Sequence, residues 1–185
     1  LRERDVLSLT LDKAEGLANY PFLRGAVYDE YTSGGWLAGE RYEADREAED
    51  VVLLSELAND FGYSNQQVIV AHIQVANSKV GRSVLFTIGQ PVGADVPTKA
   101  EASEDWGSPD FDPYSSITLM RPPDRMEPGA TYSSAGLVTD ATADDLRADD
   151  TTFVDRDLER RYTQLPDDLP QRVRELAEQL TASQP

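Results

Sequence analysis

The chain is written in short apolar runs cut by Gly, Pro and Asn, and this punctuation constrains its fold more than any other feature. Residues 67–76 are the clearest case. Ile69, Ala71, Ile73 and Val75 alternate with Val70, His72 and Gln74, a period of two that reads as a strand with two distinct faces. Residues 6–11 repeat the pattern, with Leu7, Leu9 and Leu11 on one face and Ser and Thr between them. Residues 22–31 have strand composition, with Gly25 allowing a bulge or a close backbone approach. Residues 83–88, 116–120 and 130–138 read as further strands. The Asn-Ser-Lys-Val-Gly turn at 77–81 predicts that 67–76 and 83–88 pair as a hairpin.

Helical signals are fewer. Leu53, Leu54, Leu57, Ala58 and Phe61 lie at helical spacing, so 51–61 is expected to be a short amphipathic helix stopped by Gly62, with a strand over 50–54 as the alternative. Thr142-Ala143-Asp144-Asp145 resembles a capping box, with Asp in place of the usual Glu or Gln, and should open a short helix. Residues 157–162 are expected to form one or two helical turns. A final helix should begin at Pro170, with Val173, Leu176, Ala177 and Leu180 along one stripe. Residues 40–50 are charged and expected to be solvated. Residues 89–113 hold four prolines and six acidic residues, and read as a long excursion across a sheet edge. Strands joined by turns, with helices only late, predict a mainly β chain: an antiparallel β-sandwich or open barrel, Ig-like in general character, with short C-terminal helices. Residues 1–155 are expected to form the β-rich domain, and 156–185 a helical lead-in.

Composition narrows the chemistry. With no cysteine and a single histidine, His72, a Cys-based metal site, a thiol nucleophile and a His-rich zinc site are excluded or disfavoured. A net charge of −17 across 185 residues should repel nucleic acid and anionic lipid. No apolar run approaches the roughly 18–20 residues of a membrane helix, and no signal-peptide pattern is present, so the segment itself is expected to be soluble. The chain opens on Leu1 rather than Met, and is expected to be a region of a longer protein. There is no Gly-x-Ser-x-Gly elbow and no phosphate-binding glycine loop. The acidic groups Asp105, Asp110 and Asp112, and Asp144, Asp145, Asp149 and Asp150, could hold calcium, but their plainer reading is a solvated face. His72 reads as a strand residue with a satisfied hydrogen bond. Trp36, Trp106 and the tyrosines could build a sugar-stacking platform, although most such residues pack. No catalytic, cofactor or metal residues are assigned, which favours a binding or scaffolding domain.

Three stretches, in order, carry a resemblance. Residues 22–36, Phe-Leu-Arg-Gly-Ala-Val-Tyr-Asp-Glu-Tyr-Thr-Ser-Gly-Gly-Trp, resemble the aromatic-x-Arg-Gly-x-x-Tyr-Asp-x-Tyr-x-Gly-x-Gly-Trp segment of bacterial transglutaminase-like membrane proteins of the TgpA type. Ser33 stands where that segment has Gly. Residues 161–177, Arg-Tyr-Thr-Gln-Leu-Pro-Asp-Asp-Leu-Pro-Gln-Arg-Val-Arg-Glu-Leu-Ala, resemble the segment just before the transglutaminase core of those proteins, with Thr163 in place of Leu. Between them, Gly129-Ala130-Thr131-Tyr132 and Thr142–Arg147 resemble their last strand and short helix. The resemblance implies a non-catalytic extracytoplasmic domain of an integral membrane protein. Its partners would be the membrane region and the downstream transglutaminase-like, cysteine protease-like core of the same chain. It implies structural roles for Arg24, Gly25, Tyr28, Asp29, Tyr31, Gly35, Trp36, Tyr162, Leu165, Pro166, Leu169 and Pro170. Tyr28, Tyr31 and Trp36 are expected to pack, Arg24 to pair with an acid or carbonyls, and the stripe of the last helix to be partly orphaned. Residues 89–113 are the expected contact with cell wall, protein substrate or the core. A free-standing module for calcium or cell-wall glycan is the alternative.

Overall fold

Ile69, Ala71, Ile73 and Val75 do share a buried face, and the rest of the core is assembled on them. The computed structural model describes residues 6–11, 22–60, 65–76, 82–109, 112, 116–148 and 163–182. The elements are β1 (Leu7–Leu11), β2 (Leu23–Arg24), β3 (Glu30–Thr32), β4 (Gly35–Leu37), β5 (Tyr42–Arg46), α1 (Val51–Asp60), β6 (Gln66–Val75), β7 (Thr87–Ile88), β8 (Gln90–Ala94), β9 (Thr98–Ala102), β10 (Ile117–Arg121), β11 (Thr131–Thr139), α2 (Ala143–Ala148) and α3 (Gln171–Thr181). The chain divides into two units, Leu1–Val27 with Glu40–Asp150, and Tyr28–Gly39 with Thr151–Pro185. The expected boundary at 155/156 and the helical turns at 157–162 lie outside the described residues.

The first unit is mainly β, antiparallel and sandwich-like. A four-stranded sheet in the order β1-β6-β11-β8 faces a three-stranded sheet in the order β10-β9-β5. Between them lie Ile69, Ile73 and Val75 of β6, Ala94 of β8, Ala100 of β9, Ile117 and Met120 of β10, and Tyr132 and Val138 of β11. The β2–β7 ladder adds Ile88, with Leu85 just before it and Leu23 packed alongside. The opposite face of the four-stranded sheet is apolar for half its length. There Val70, Val92, Ala135 and Leu137 meet Val51 and Leu54 of α1. Asp50 caps that helix, its Oδ1 accepting from Val52 N at 3.0 Å and Leu53 N at 3.1 Å. The layers are thus sheet, sheet and helix.

Four expectations are corrected. Residues 67–76 and 83–88 are not a hairpin: β6 lies between β1 and β11, while β7 pairs with β2. The turn between two apolar runs did not make them neighbours, because β6 has a longer and better matched partner in β11, paired over nine residues. Residues 40–50 are not simply solvated: Tyr-Glu-Ala-Asp-Arg forms β5, the edge strand on β9, where Asp45 lies opposite Lys99. Its charges hid a period-two pattern in which Tyr42, Ala44 and Arg46 are half-buried. Residues 89–113 are not one excursion, since they contain β8 and β9, whose sandwich-facing side chains (Ala94, Thr98, Ala100, Ala102) are small and give little hydropathy signal, with Val92 on the other face of β8. Residues 22–31 are split into β2 and β3, with a bridge at Ala26 to Leu119 between them.

The second unit holds the β3–β4 hairpin and α3. The paired glycines do make the turn, with Gly35 at φ +129°, and Tyr31 stands opposite Trp36. Asp29 is its single buried residue among those described. Asp29 Oδ1 accepts from Gly39 N at 2.9 Å, its N–H donates to Leu37 O, and its carbonyl accepts from Gln164 Nε2 at 3.3 Å.

Candidate functional site

Beyond the reach of α1, the outward face of the four-stranded sheet turns from apolar to polar. Along β6 the outward side chains run Val68, Val70, then His72 and Gln74; along β11 they run Leu137, Ala135, then Ser133 and Thr131. The register sets these in two rows. Ser8 lies opposite Gln74, which lies opposite Thr131; Thr10 lies opposite His72, which lies opposite Ser133. Asp95, just past β8, closes the second row: its N–H donates to Ser133 O at 3.0 Å, and its Oδ1 accepts from Ser133 N at 2.7 Å. That contact fixes the strand and leaves the Ser133 hydroxyl to the imidazole, with Oγ 2.9 Å from His72 Nδ1. The rows line an open groove of about 460 Å³, floored by Ile73 and Tyr132.

Tyr132 is buried under the groove and its hydroxyl accepts from Phe86 N at 2.7 Å. Burial raises its phenol far above the ordinary value, and the Phe86 hydrogen bond only partly opposes this.

The residues named from the family resemblance are spread over both units. Arg24 Nη1 donates to the side-chain oxygen of Gln90. A Cβ on Gly25 would stand 2.8 Å from Phe86 Cε1, so the close approach expected there exists. In the second unit Tyr31 and Trp36 stack with ring centroids 5.0 Å apart at 51°. Tyr28 and Trp36 do not bury, being 58% and 61% exposed; a two-stranded ladder of three residues a strand offers little surface to bury them. Leu165 is exposed. Pro166 O accepts from Leu169 N at 3.1 Å and from Arg174 Nη2 at 3.3 Å, and Pro170 O accepts from Val173 N at 2.9 Å, which together start α3. Tyr162 lies outside the described residues. Val173, Leu176 and Leu180 of α3 are exposed, and no residue of that helix is buried.

Trp106 is not part of an open platform. It packs against the core edge, donates Nε1–H to Tyr42 O at 2.9 Å and lies under the Arg46 guanidinium. The acids are dispersed into local roles: Asp105 Oδ1 accepts from Gly107 N, Asp144 pairs with Arg147, and Asp145 caps α2. Asp110, Asp149 and Asp150 lie outside the described residues. Among the described residues no three His, Asp or Glu side chains are grouped to hold a metal ion, and no helix is long and apolar enough to cross a membrane. Sequence reasoning noted His72 but missed its row. The available signal was the switch from apolar to polar in alternate residues of β6 and β11, which becomes one surface only when the two strands are in register. No family model matches this chain, and neither a curated protein nor a solved structure does.

Proposed function

We propose that this chain is a non-catalytic, extracytoplasmic accessory domain of a bacterial transglutaminase-like membrane protein, holding the catalytic core at a set position outside the membrane. One observation carries the reading. The second part of the 22–36 stretch, from Tyr28 on, and the 161–177 stretch are far apart in sequence yet belong to one compact unit, where Gln164 Nε2 meets the carbonyl of Asp29, while residues 22–27 belong to the first unit. A spacer of this kind needs a rigid body and a continuation point. The sandwich core supplies the first. The α3 stripe of Val173, Leu176 and Leu180, exposed in this chain, supplies a surface for the second. The absence of cysteine means that a thiol nucleophile would have to lie outside these residues.

Reading the gene on both sides of this region tests the proposal. Membrane-spanning segments before Leu1 and a Cys-His-Asp core after Pro185 are expected; flanks with neither would end it. As a biochemical check, the isolated chain should release no ammonia from glutamine-containing peptides and cleave no amide bond. Turnover that co-purifies with the chain and is lost on its mutation would contradict the non-catalytic reading.

A further inference from the structure

The two polar rows on the outward face of β1, β6 and β11 form a surface that solvation alone does not account for. All six side chains, Ser8, Gln74, Thr131, Thr10, His72 and Ser133, are uncharged donors and acceptors when the imidazole is neutral. The chain around them is 28% charged, yet among the described residues that line the groove only Asp95, at the end of the second row, carries a charge. The exposed face of β5, by contrast, shows Glu43 and Asp45 in five residues. The groove above the two rows measures about 460 Å³, within the roughly 300–1,000 Å³ of small-molecule sites.

Spacing and chemistry select the ligand. Strands stand about 4.8 Å apart and same-face residues about 7 Å apart, so the rows form a lattice on the scale of a sugar ring. Hydroxyl, primary amide and imidazole groups both give and accept hydrogen bonds, as vicinal sugar hydroxyls do. Among the described residues the groove offers no Lys or Arg to an anion, and Asp95 together with the chain's net charge of −17 opposes one. Its outward side chains offer no apolar wall to a lipid. The sheet is held stiff beneath by the buried Tyr132, and the second row is pinned by the two-way bond between Asp95 and Ser133.

We propose that this face is a binding site for a neutral oligosaccharide lying across β1, β6 and β11. It goes beyond the accessory role, and stands or falls independently of what flanks the chain. The competing macromolecule is an extended peptide added to the outer edge of β1, the terminal strand of its sheet among the described residues. The bond from Ala76 N to Val6 O turns the even residues of β1 inward, so Leu7, Leu9 and Leu11 direct their main-chain groups away from β6. The groove lies over the side-chain face and not beyond that edge, which favours the sugar.

The test is amide chemical-shift mapping of the whole chain with chitotriose and maltotriose, each titrated into the millimolar range. Saturable shifts from at least one sugar at Thr10, His72, Gln74 and Ser133 are expected. The double variant His72→Ala, Gln74→Ala should weaken the affinity about tenfold or more while keeping the native spectrum elsewhere. If that variant fails to fold, Thr131→Val at the exposed end of the first row is read instead and should weaken binding in the same direction. No saturable shift from either sugar would overturn the proposal. So would shifts centred on another surface, or affinity unchanged in the folded variant. A polyalanine-type peptide that shifts Leu7, Leu9 and Leu11 while both sugars do nothing would assign the region to strand addition instead.

Discussion

Gly136 carries no side chain because there is no room for one. A Cβ there would overlap the carbonyl oxygen of Ile88, and one on Gly89 would overlap the carbonyl of Leu137. Gly89 sits at φ +72°, at the point where the chain leaves its pairing with β2 and joins β11. The two glycines let one sheet hand the chain to the other at close range. Gly136→Ala is therefore expected to cost about 3 kcal/mol or more, or to prevent folding. Gly34→Ala, in an exposed turn whose nearest neighbour to a new Cβ is Thr32 Oγ1 at 3.7 Å, should be close to neutral. Urea denaturation of the pair measures the contrast. Tyr132→Phe removes the acceptor of the Phe86 N–H and should cost about 1–2 kcal/mol. Because burial raises the phenol above its ordinary value of 10.0, the folded chain keeps that proton where the unfolded chain loses it. The contribution is thus fully present below about pH 10 and declines as pH rises beyond it. The stability of the native chain should fall more steeply there than that of Tyr132→Phe, as denaturation across that range would show.

At the scale of elements, the helices are set by their first residues and by what they cover. Asp50 satisfies two N–H groups of α1, so Asp50→Ala should cost about 1 kcal/mol and Asp50→Asn much less, read as a shift in denaturation midpoint at constant slope. In α2 the capping box is closed both ways. Thr142 N donates to Asp145 Oδ2 at 2.8 Å, and Asp145 N donates to Thr142 Oγ1 at 3.2 Å. The Thr142 side-chain bond, then its main-chain bond, holds the Asp145 carboxyl below its ordinary range. A depressed value means that the cap is intact above that range and is lost as pH falls through it. Amide shifts of residues 142–146 should report loosening in acid, and Thr142→Ala should show the loosened pattern already at neutral pH. Among the strands, β5 shows how an edge survives as a strand while written in charges. Arg46 donates to Val92 O at 2.9 Å and to Glu49 Oε1 at 2.6 Å, and lies 5.7 Å from the Trp106 ring centroid.

The whole molecule joins a well-packed unit to one whose described residues bury almost nothing. Since the described part of the second unit buries only Asp29, the sandwich should not depend on it. A chain ending at residue 150, which removes the 151–185 part of the second unit and keeps Tyr28–Gly39, is expected to keep the melting transition of the full chain within a few degrees, as monitored by circular dichroism; loss of cooperative melting would show that the sandwich depends on the removed part. The charge of −17 acts on the whole. Self-repulsion should be screened as the Debye length falls from about 30 Å in 0.01 M salt to about 10 Å in 0.1 M, so the melting temperature should rise over that interval.

The sequence alone determined the strands whose two faces differ in polarity: β6, β11 and, in outline, β1, together with the helix over 51–60 and the cap at Thr142. There the local pattern and the element agree, but burial follows it only in part: the outer faces of β6 and β11 are covered by α1 at Val70, Ala135 and Leu137, and α1 turns Val51 and Leu54 to the sheet while Leu53 of the expected stripe is exposed. Tertiary structure decided the rest. The sandwich-facing residues Ala94 of β8 and Thr98, Ala100 and Ala102 of β9 are too small to stand out among prolines and acids, Val92 alone marks the other face of β8, and the two become strands with β11 and β10 as partners. The partner of β6 was chosen by the long register with β11 and not by proximity in sequence. The polar groove has the same origin. Ser8, His72, Gln74, Thr131 and Ser133 lie on three strands, and no local pattern brings them together. Antiparallel register and the place where α1 stops make them one surface.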